Sequence, residues 1–264
     1  MIKQVLTIAG SDSGGGAGIQ ADIKSISANG CYAMSVITSV TAQNTEEVTD
    51  VFDLPVSSVA AQLDAVFDDF DIAAVKTGML ATTETIRTVV RLLRPQNVRN
   101  LVVDPVMISK SGRNLLKPDA VDTLKKELFP LALMITPNIH EAQQLSGIEI
   151  ASLADARRAA KILHQFGAAY VLIKGGHLSS DRGTDLLYDG RFFNIFKGEF
   201  IDTPHTHGTG CTFASAIAAH LARGKSVPDA VQTAKTYLTE AIRHGLAIGH
   251  GKGPTNHFYF LAQG

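Results

Sequence analysis

Short apolar runs alternate with segments of helical periodicity along most of the chain. Apolar runs of strand length occur at residues 5–9, 34–41, 73–77, 101–104, 133–136 and 171–174. After the first run, Ile19, Ile23 and Ile26 recur at helical spacing, which predicts an amphipathic helix. Strands that are buried on both faces and separated by helices predict an α/β fold with a largely parallel sheet.

Further elements follow from the same spacing and from local start and turn signals. Apolar stripes predict helices at 59–70, 86–93, 212–223 and 228–244. Ser152 and Asp155 have the spacing of a capping box at a helix start. One unit breaks the alternation, because Asp189-Gly190 separates two strand-like runs. This dipeptide predicts an antiparallel hairpin near 184–197 with a two-residue type I′ turn.

Composition limits the class of protein. The 264 residues fit a single domain, 1–264, since α/β domains of about 250 residues are common. A formal net charge of −1 gives no electrostatic reason to bind nucleic acid or an anionic membrane. Two cysteines exclude a disulfide scaffold and a Cys-rich zinc site, and favour a reduced, cytoplasmic setting. We see no targeting signal and no apolar run of about 20 residues.

The loops after the predicted strands are where an open α/β sheet places its active site. The first is GSDSGGGAG at 10–18, which lacks the GxxxxGK[ST] pattern of a phosphate-binding loop. It also fails the dinucleotide fingerprint, because Ile19 stands where the third glycine should be, and this disfavours an NAD-dependent dehydrogenase. The loop is either a flexible turn or a place where the backbone closely approaches a small ligand.

Two later loops offer candidates for recognition of a ring. Gln43, in TAQNT, carries an amide with donors and an acceptor that suit the edge of a heterocycle, although most glutamines are merely solvated. Met79, in KTGML, stands at a strand end, either as core packing or as a soft pocket wall.

Three further loops carry charged groups suited to phosphate or metal. Asp104, in DPVM, either caps a strand end or faces a metal–phosphate assembly. Asn138 and Glu141 are three residues apart at a predicted helix start and point the same way. Asp104 and Glu141 fit the sparse carboxylate set that Mg²⁺ usually takes. Lys174, in KGGH, is either a surface charge or a phosphate ligand.

The segment THGTGCT, Thr206–Thr212, precedes an apolar helix and gives the strongest single signal. Gly208, Thr209 and Gly210 allow successive backbone N–H groups to converge on an anion at the helix N-terminus. Cys211 lies at the same end, where a thiol pKa falls from about 8.5 towards neutrality, so we expect a reactive cysteine. The alternative is an inert cysteine that opens a helix.

The motifs AGSDSGGGAGIQAD, TAQNT, KTGML, DPVM, TPNIHEA, KGGH and THGTGCT occur in this order. As a set they resemble bacterial hydroxymethylpyrimidine/phosphomethylpyrimidine kinases, thiamine-pathway members of the ribokinase-like superfamily. The resemblance runs from about Val5 to GPTNHF at 253–258. It implies a three-layer sandwich around a mostly parallel sheet, and a homodimer. It also implies Mg²⁺- and ATP-dependent phosphorylation of 4-amino-5-hydroxymethyl-2-methylpyrimidine to its monophosphate and then to its diphosphate.

The resemblance also implies roles for individual residues. The pyrimidine would contact Gln43, Gly10, Asp22, Met79 and Val106. ATP would contact Asn138, Glu141, Lys174, Thr206 and His207, with Asp104 and Glu141 near Mg²⁺. The catalytic group would comprise Lys174 and the anion hole of Gly208, Thr209, Gly210 and Cys211. Cys211 stands where many ribokinase-like enzymes place an aspartate base, and its thiolate would take the proton of the primary alcohol.

Two other functions fit the same sequence. A pyridoxal or pyridoxine kinase of the same superfamily also phosphorylates a hydroxymethyl group on a nitrogen ring, and TAQNT with Gln43 argues against it as the main activity. A non-catalytic metabolite-binding protein on this fold is the second alternative. The complete set of Asp104, Asn138, Glu141, Lys174 and Cys211 argues against that one.

Overall fold

A computed structural model describes residues 1–109, 112–175 and 182–261. The strands are β1 (Gln4–Asp12), β2 (Tyr32–Gln43), β3 (Val48–Asp53), β4 (Ile72–Thr77), β5 (Leu101–Val103), β6 (Met134–Ile135), β7 (Tyr170–Gly175), β8 (Thr184–Tyr188) and β9 (Phe193–Lys197). The helices are α1 (Gly18–Ala28), α2 (Val56–Asp69), α3 (Thr83–Leu93), α4 (Ala120–Thr123), α5 (Ile139–Ser146), α6 (Leu153–His164), α7 (Thr209–Ala222) and α8 (Val227–Arg243).

The described strands form one sheet in the order β3-β2-β1-β4-β5-β6-β7-β8-β9. The central pairs, from β2 through β7, are parallel, and β3, β8 and β9 pair antiparallel with their neighbours. This confirms the predicted mostly parallel sheet. Since β1 lies between β2 and β4, the strand order reverses beside β1, and a crevice opens there at the carboxyl ends.

Helices cover both faces of the sheet, as the uninterrupted apolar strands require. In β1, Val5 packs in the cluster that contains α1, α7 and α8, whereas Leu6 and Ile8 pack in the cluster that contains α2 to α6. Successive strand residues thus contribute to opposite cores. The result is the predicted three-layer sandwich.

The missed elements are short or exposed. The sequence pattern does not predict β3, an edge strand with the sequence VTDVFD, which does not alternate strictly and in which only Val48 is buried. It also misses α4, a four-residue helix followed by one π-helical turn and one 3₁₀ turn that end at Leu131. Within the described ranges, no helix combines the length and apolar character needed to cross a membrane.

Local signals hold at α6 and are only partly right at the hairpin. At α6, Ser152 Oγ accepts from the Asp155 N–H at 3.2 Å, and Asp155 Oδ2 accepts from the Ser152 N–H at 3.0 Å. The predicted hairpin of β8 and β9 is confirmed, but the prediction of a two-residue turn is wrong. Tyr188 pairs with Phe193, so a four-residue loop joins the strands. The Asp189 carboxylate accepts the N–H groups of the third and fourth loop residues and thereby stabilises the longer turn.

A buried ion pair connects the sheet to one helical layer. Lys76 of β4 and Asp22 of α1 are fully buried, with Lys76 Nζ 2.8 Å from Asp22 Oδ2. Thr7 of β1 and Ser215 of α7 donate their hydroxyls to the same carboxylate at 2.6 and 2.7 Å. Burial alone would lower the Lys76 pKa, but nearby negative charges, that of Asp22 first, and the hydrogen bond to Asp22 together outweigh burial and raise it. Lys76 is therefore charged at neutral pH.

We predict that Lys76→Met lowers the free energy of unfolding by about 3–5 kcal/mol, because it leaves a buried carboxylate without its cation. The double variant Lys76→Met/Asp22→Asn removes both charges and should recover more than half of that loss. Urea denaturation of the three proteins measures the effect. If the single and double variants lose the same free energy of unfolding, Lys76 does not stabilise the protein by compensating the charge of Asp22.

Candidate active site

A cavity of about 660 Å³ lies at the carboxyl edge of the sheet, beside the reversal of strand order. Among its lining residues are fourteen that were predicted from the sequence: Gly10, Gln43, Met79, Asp104, Val106, Asn138, Glu141, Lys174, Thr206, His207, Gly208, Thr209, Gly210 and Cys211. A second cleft of about 590 Å³ lies before the amino end of β5, and none of the predicted residues lines it. The cavity at the carboxyl edge is therefore the candidate site.

Asp22 is the predicted site residue that the cavity lining does not include. Its carboxylate lies in the buried network with Lys76, Thr7 and Ser215. Lys76 itself lines the cavity. The prediction that Asp22 shapes the pocket directly is thus corrected, since Asp22 acts on the cavity wall through Lys76. Sequence reasoning missed Lys76, although a lysine inside the apolar run of β4 was a visible signal.

The part of the cavity lining at the carboxyl ends of β2, β1, β4 and β5 includes Gln43, Gly10, Met79 and Val106. A Cβ at Gly10 would lie 3.1 Å from Met79 Sδ, so the missing side chain lets the thioether pack against the strand. Met79 is buried and Gln43 is half-buried at the end of β2. Apolar walls with one amide are suited to a flat, polar-edged ring.

The glycine-rich loop folds around Asp12, a residue that the sequence analysis did not select. Asp12 Oδ1 accepts the Gly14 N–H at 2.8 Å, and Oδ2 accepts those of Gly16 and Ala17 at 3.1 and 2.8 Å. His207 Nε2 lies 2.9 Å from the same Oδ2. Burial would raise the Asp12 pKa, but the bonds from His207 and the backbone outweigh burial and lower it. An aspartate that caps its own loop was the signal that could have identified it.

His207 lies on the same side of the cavity as Gln43. Besides Asp12, its Nε2 is 3.3 Å from the Gln43 amide nitrogen. A Cβ at Gly16 would come within 2.3 Å of His207 Cδ2, so Gly16 must be glycine for the histidine to fit. The structure therefore places His207 against Gln43, and its expected contact with ATP stays a prediction.

At the opposite end, Lys174 and two carboxylates form a buried charged cluster. Lys174 Nζ lies 2.6 Å from Asp104 Oδ1, which also accepts the Thr136 hydroxyl at 3.0 Å. Burial lowers the Lys174 pKa, but the negative charges of Asp104 and Glu141 raise it by more. The pKa is therefore above its usual value, and the amine stays charged. Lys174 is therefore not a surface charge. Gly176 and His177, the rest of KGGH, lie outside the described residues.

Asn138 and Glu141 form the capping box of α5. The Asn138 side chain accepts the Glu141 N–H at 2.9 Å, and Glu141 Oε2 accepts the Asn138 N–H at 2.8 Å. Burial raises the Glu141 pKa to about 7, Lys174 opposes that rise, and repulsion from Asp104 adds to it. Burial and Asp104 both destabilise the ionised carboxylate of Glu141, so a cation bound beside it would stabilise that form.

The described residues contain no cluster of three or more His, Cys, Asp or Glu that would hold a metal alone. Asp104 and Glu141 instead offer two hard oxygen donors beside the cavity. This donor set fits Mg²⁺, which keeps several waters and binds through one or two carboxylates plus phosphate oxygens.

The start of α7 forms a concave stretch of backbone. Gly208 has a φ of +78°, and a Cβ there would overlap the Gly16 carbonyl oxygen at 1.8 Å. A Cβ at Gly210 would lie 3.4 Å from Lys174 Nζ, so the glycine keeps the space in front of the ammonium open. The N–H groups of Thr209 and Gly210 stand at the positive end of a 14-residue helix, where the Thr209 N–H also donates to the Thr206 carbonyl at 3.4 Å. This geometry is that of an anion nest.

The segment 253–257 braces this nest from outside. The His207 N–H donates to the Gly253 carbonyl at 3.1 Å, and the Thr255 N–H donates to the His207 carbonyl at 3.4 Å. His257 Nε2 lies 2.9 Å from Thr212 Oγ1. Burial lowers the His257 pKa to about 4, so this histidine is neutral and adds no charge near the nest.

Cys211 does not have the lowered pKa expected from its helix-terminal position. Burial raises the pKa of the thiol to about 11, Lys76 opposes the rise, and the carboxylates of Asp22 and Asp104 add to it. The expectation of an ionised cysteine is therefore wrong for the ligand-free site. The helix dipole is outweighed because the sulfur lies among protein atoms with two negative charges nearby.

Comparison with known proteins identifies relatives over almost the whole chain. The family model for phosphomethylpyrimidine kinase matches residues 12–256. The hydroxymethylpyrimidine/phosphomethylpyrimidine kinase of Haemophilus influenzae is 50% identical over 98% of both chains. The thiamine biosynthesis bifunctional protein ThiED of Geobacter sulfurreducens is 51% identical over 96% of this chain, which spans 52% of that protein.

A solved structure shares the fold at lower identity. Pyridoxal kinase from Staphylococcus aureus, in complex with AMP-PCP and pyridoxal, superimposes with a TM-score of 0.91. It is 37% identical and covers 99% of this chain and 96% of its own. The architecture is therefore shared by kinases named for two different ring substrates.

We predict that alkylation of Cys211 by iodoacetamide accelerates close to tenfold for each pH unit between pH 7 and 10. A thiol with a raised pKa gains thiolate in that proportion and reaches no plateau in this range. Mass spectrometry of the modified peptide measures the rate. The Cys211→Ser variant is the control, since it leaves buried Cys31, whose pKa is also raised by burial. A plateau near pH 7 to 8 would instead show a thiol activated by the helix.

Proposed function

We propose that this chain, which belongs to the phosphomethylpyrimidine kinase family, transfers phosphate from ATP to 4-amino-5-hydroxymethyl-2-methylpyrimidine and then to the resulting monophosphate. The observation that carries the proposal is one cavity with two differently built ends. The end with Gln43 and Met79 suits a ring, and the end with Lys174 and the α7 nest suits phosphates. The Haemophilus relative carries the same double name.

Phosphoryl transfer needs little covalent chemistry from a protein and much positioning and positive charge. In this proposal the backbone N–H groups at Thr209 and Gly210 bind the oxygens of the transferred group. Lys174, held by Asp104, supplies a fixed positive charge beside them. These groups are positioned before ligands bind, so little reorganisation is needed as charge develops.

ATP and Mg²⁺ belong to the same proposal. A kinase of this family uses ATP, and the Staphylococcus structure contains an ATP analogue. Asp104 and Glu141 would hold Mg²⁺, which would neutralise phosphate charge in the complex. With a pKa near 7, Glu141 is only partly ionised at neutral pH, and it loses its remaining proton when it binds a cation.

The raised pKa of Cys211 restricts how it can act as a base. We retain Cys211 as the base for the alcohol step, with the thiolate as a minor and strongly basic form. The monophosphate step does not need that base, because a phosphate monoester has a second pKa of about 6 and is largely a dianion at neutral pH.

The pyridoxal kinase likeness favours one alternative function. The Staphylococcus enzyme is named for pyridoxal and shares the fold. Relatives at about 50% identity carry the pyrimidine name, and Gln43 offers the paired donor and acceptor that an aminopyrimidine edge matches. Pyridoxal phosphorylation is therefore proposed only as a side activity.

We also propose a homodimer in the cytoplasm. Val40 of β2 and Phe52 of β3 form a cross-strand pair and expose 42% and 63% of their surfaces. An exposed apolar pair beside an edge strand is suited to a partner surface. The two free cysteines support a reduced compartment.

The test of the proposed activity is product analysis with ATP and Mg²⁺. We expect the hydroxymethylpyrimidine to be converted first to the monophosphate and then to the diphosphate. With pyridoxal present in equal amount, the pyrimidine products should dominate. Exclusive phosphorylation of pyridoxal would assign the alternative, and ligand binding without turnover of ATP would indicate a metabolite-binding protein.

A second prediction separates the two phosphorylations. Cys211→Ala should slow the alcohol step by about 10²-fold or more, which is the usual contribution of a general base, and leave the monophosphate step nearly unchanged. In the parent protein the alcohol step should also rise with pH from 7 to 9, since the thiolate population grows. Single-turnover rates with each substrate provide the measurement. Equal losses for both substrates would show that Cys211 only shapes the nest.

A further inference from the structure

The Gln43 amide lies between two polar neighbours. Gln43 Oε1 is 3.0 Å from Thr41 Oγ1, and Gln43 Nε2 is 3.3 Å from His207 Nε2. An amide oxygen only accepts hydrogen bonds and an amide nitrogen only donates them. The two neighbours therefore determine which end of the amide can stably face each of them.

Thr41 requires a donor from Gln43. Its hydroxyl lies 3.0 Å from the carbonyl oxygen of Ser11 and is buried at 4% exposure. A hydroxyl has one proton, so it cannot donate both to Ser11 and to an amide oxygen. Both contacts become hydrogen bonds only when Gln43 presents Nε2 and Thr41 Oγ1 accepts.

His207 requires an acceptor from Gln43, for an independent reason. Its Nε2 lies 2.9 Å from Asp12 Oδ2, which already accepts two backbone N–H groups. That carboxylate is ionised, so Nε2 carries the proton and donates. If the Gln43 amide nitrogen lies 3.3 Å from this N–H, two donors face each other. An amide oxygen at the same place would instead accept the His207 Nε2 proton together with Asp12.

Both neighbours thus require the same half-turn of the amide, with Nε2 towards Thr41 and Oε1 towards His207. We propose that Thr41 and the Asp12–His207 pair are positioning residues that fix the Gln43 amide in this orientation. The fixed amide makes the site select a ring edge with an acceptor nitrogen beside an exocyclic amine. The selectivity part of this inference rests on the proposed function.

The chemistry of the two possible ring edges explains the selectivity. A 4-aminopyrimidine presents an acceptor nitrogen next to a donor amine, which pairs with one N–H and the oxygen of the amide. The 4-oxo analogue presents an N–H next to an acceptor oxygen, the reverse pattern. A glutamine that can rotate freely binds both, and one that is fixed binds one. Unpaired polar groups at such a site cause large losses in kcat/KM.

The functional test compares kcat/KM for 4-amino-5-hydroxymethyl-2-methylpyrimidine with that for its 4-oxo analogue. We expect the parent protein to prefer the amine by at least about 100-fold. Thr41→Val and His207→Leu should each reduce this ratio by at least about tenfold, chiefly by improving use of the analogue. His207→Gln, which keeps an N–H donor, should restore much of the ratio.

The matched control is His205→Leu, because His205 is two residues away and has no hydrogen bond to Gln43 within the described residues. It should leave the ratio within about twofold of the parent. Thr41→Val keeps the side-chain shape, so this variant alone can test the ratio if His207→Leu does not fold. Ratios that stay at the parent value in both folded variants would overturn the selectivity inference.

A direct readout separates this inference from the proposed function. In the ¹⁵N-labelled protein without ligands, the Gln43 side-chain NH₂ signal is assigned by its loss in Gln43→Glu. We expect nuclear Overhauser contacts from that NH₂ to the Thr41 methyl group. Contacts to the His207 ring alone would overturn the orientation. If the pyrimidine is not phosphorylated but the Thr41 contacts are present, the proposed function fails and the orientation stands.

Discussion

The buried charge pair of Lys76 and Asp22 is the interaction on which the site most depends. A lysine in the middle of a parallel sheet is tolerated because a helix brings a carboxylate to it, and hydroxyls from β1 and α7 complete the set. Four separate segments must meet at one point for these charges to be satisfied. The same point supports β4, which is followed by Met79, and α7, which begins at the nest. The packing of the core and the alignment of the two ends of the cavity therefore have a common origin.

The cavity is bordered by further aspartates that are already paired. Asp12 pairs with His207, Asp104 with Lys174 and Asp185 with Lys235, each across a long separation in sequence. Lys174 contributes positive potential near an anion, while Asp104 keeps it charged and in place. Desolvating such pairs costs free energy, so they add more to preorganisation than to stability. The Cys211 thiol is affected by the same arrangement, because the carboxylates that hold the lysines also oppose its ionisation.

The strands and most helices could be predicted because their apolar periodicity is strong and local. The carboxyl-edge location of the site followed from topology, and fourteen of the predicted residues line one cavity. What could not be predicted depends on contacts between distant segments. The burial of Asp22 depends on Lys76 of β4, the location of His207 depends on Asp12 and Gly16, and the thiol pKa depends on charges from three segments. The edge strand β3 was missed because it forms through pairing with β2, and its own sequence has no strand-like hydrophobic pattern.

The brace from 253–257 has a consequence for how the protein is made. Every labelled strand and helix precedes this segment in the chain, yet His207 and Thr212 obtain hydrogen bonds from it. Its neighbours Gly251 and Lys252 also donate to Thr45, beyond the end of β2. The nascent chain thus contains every labelled strand and helix before the residues of this brace have been synthesised. The order of translation therefore supplies the hydrogen-bond partners of His207, Thr212 and Thr45 after the strands and helices of the core.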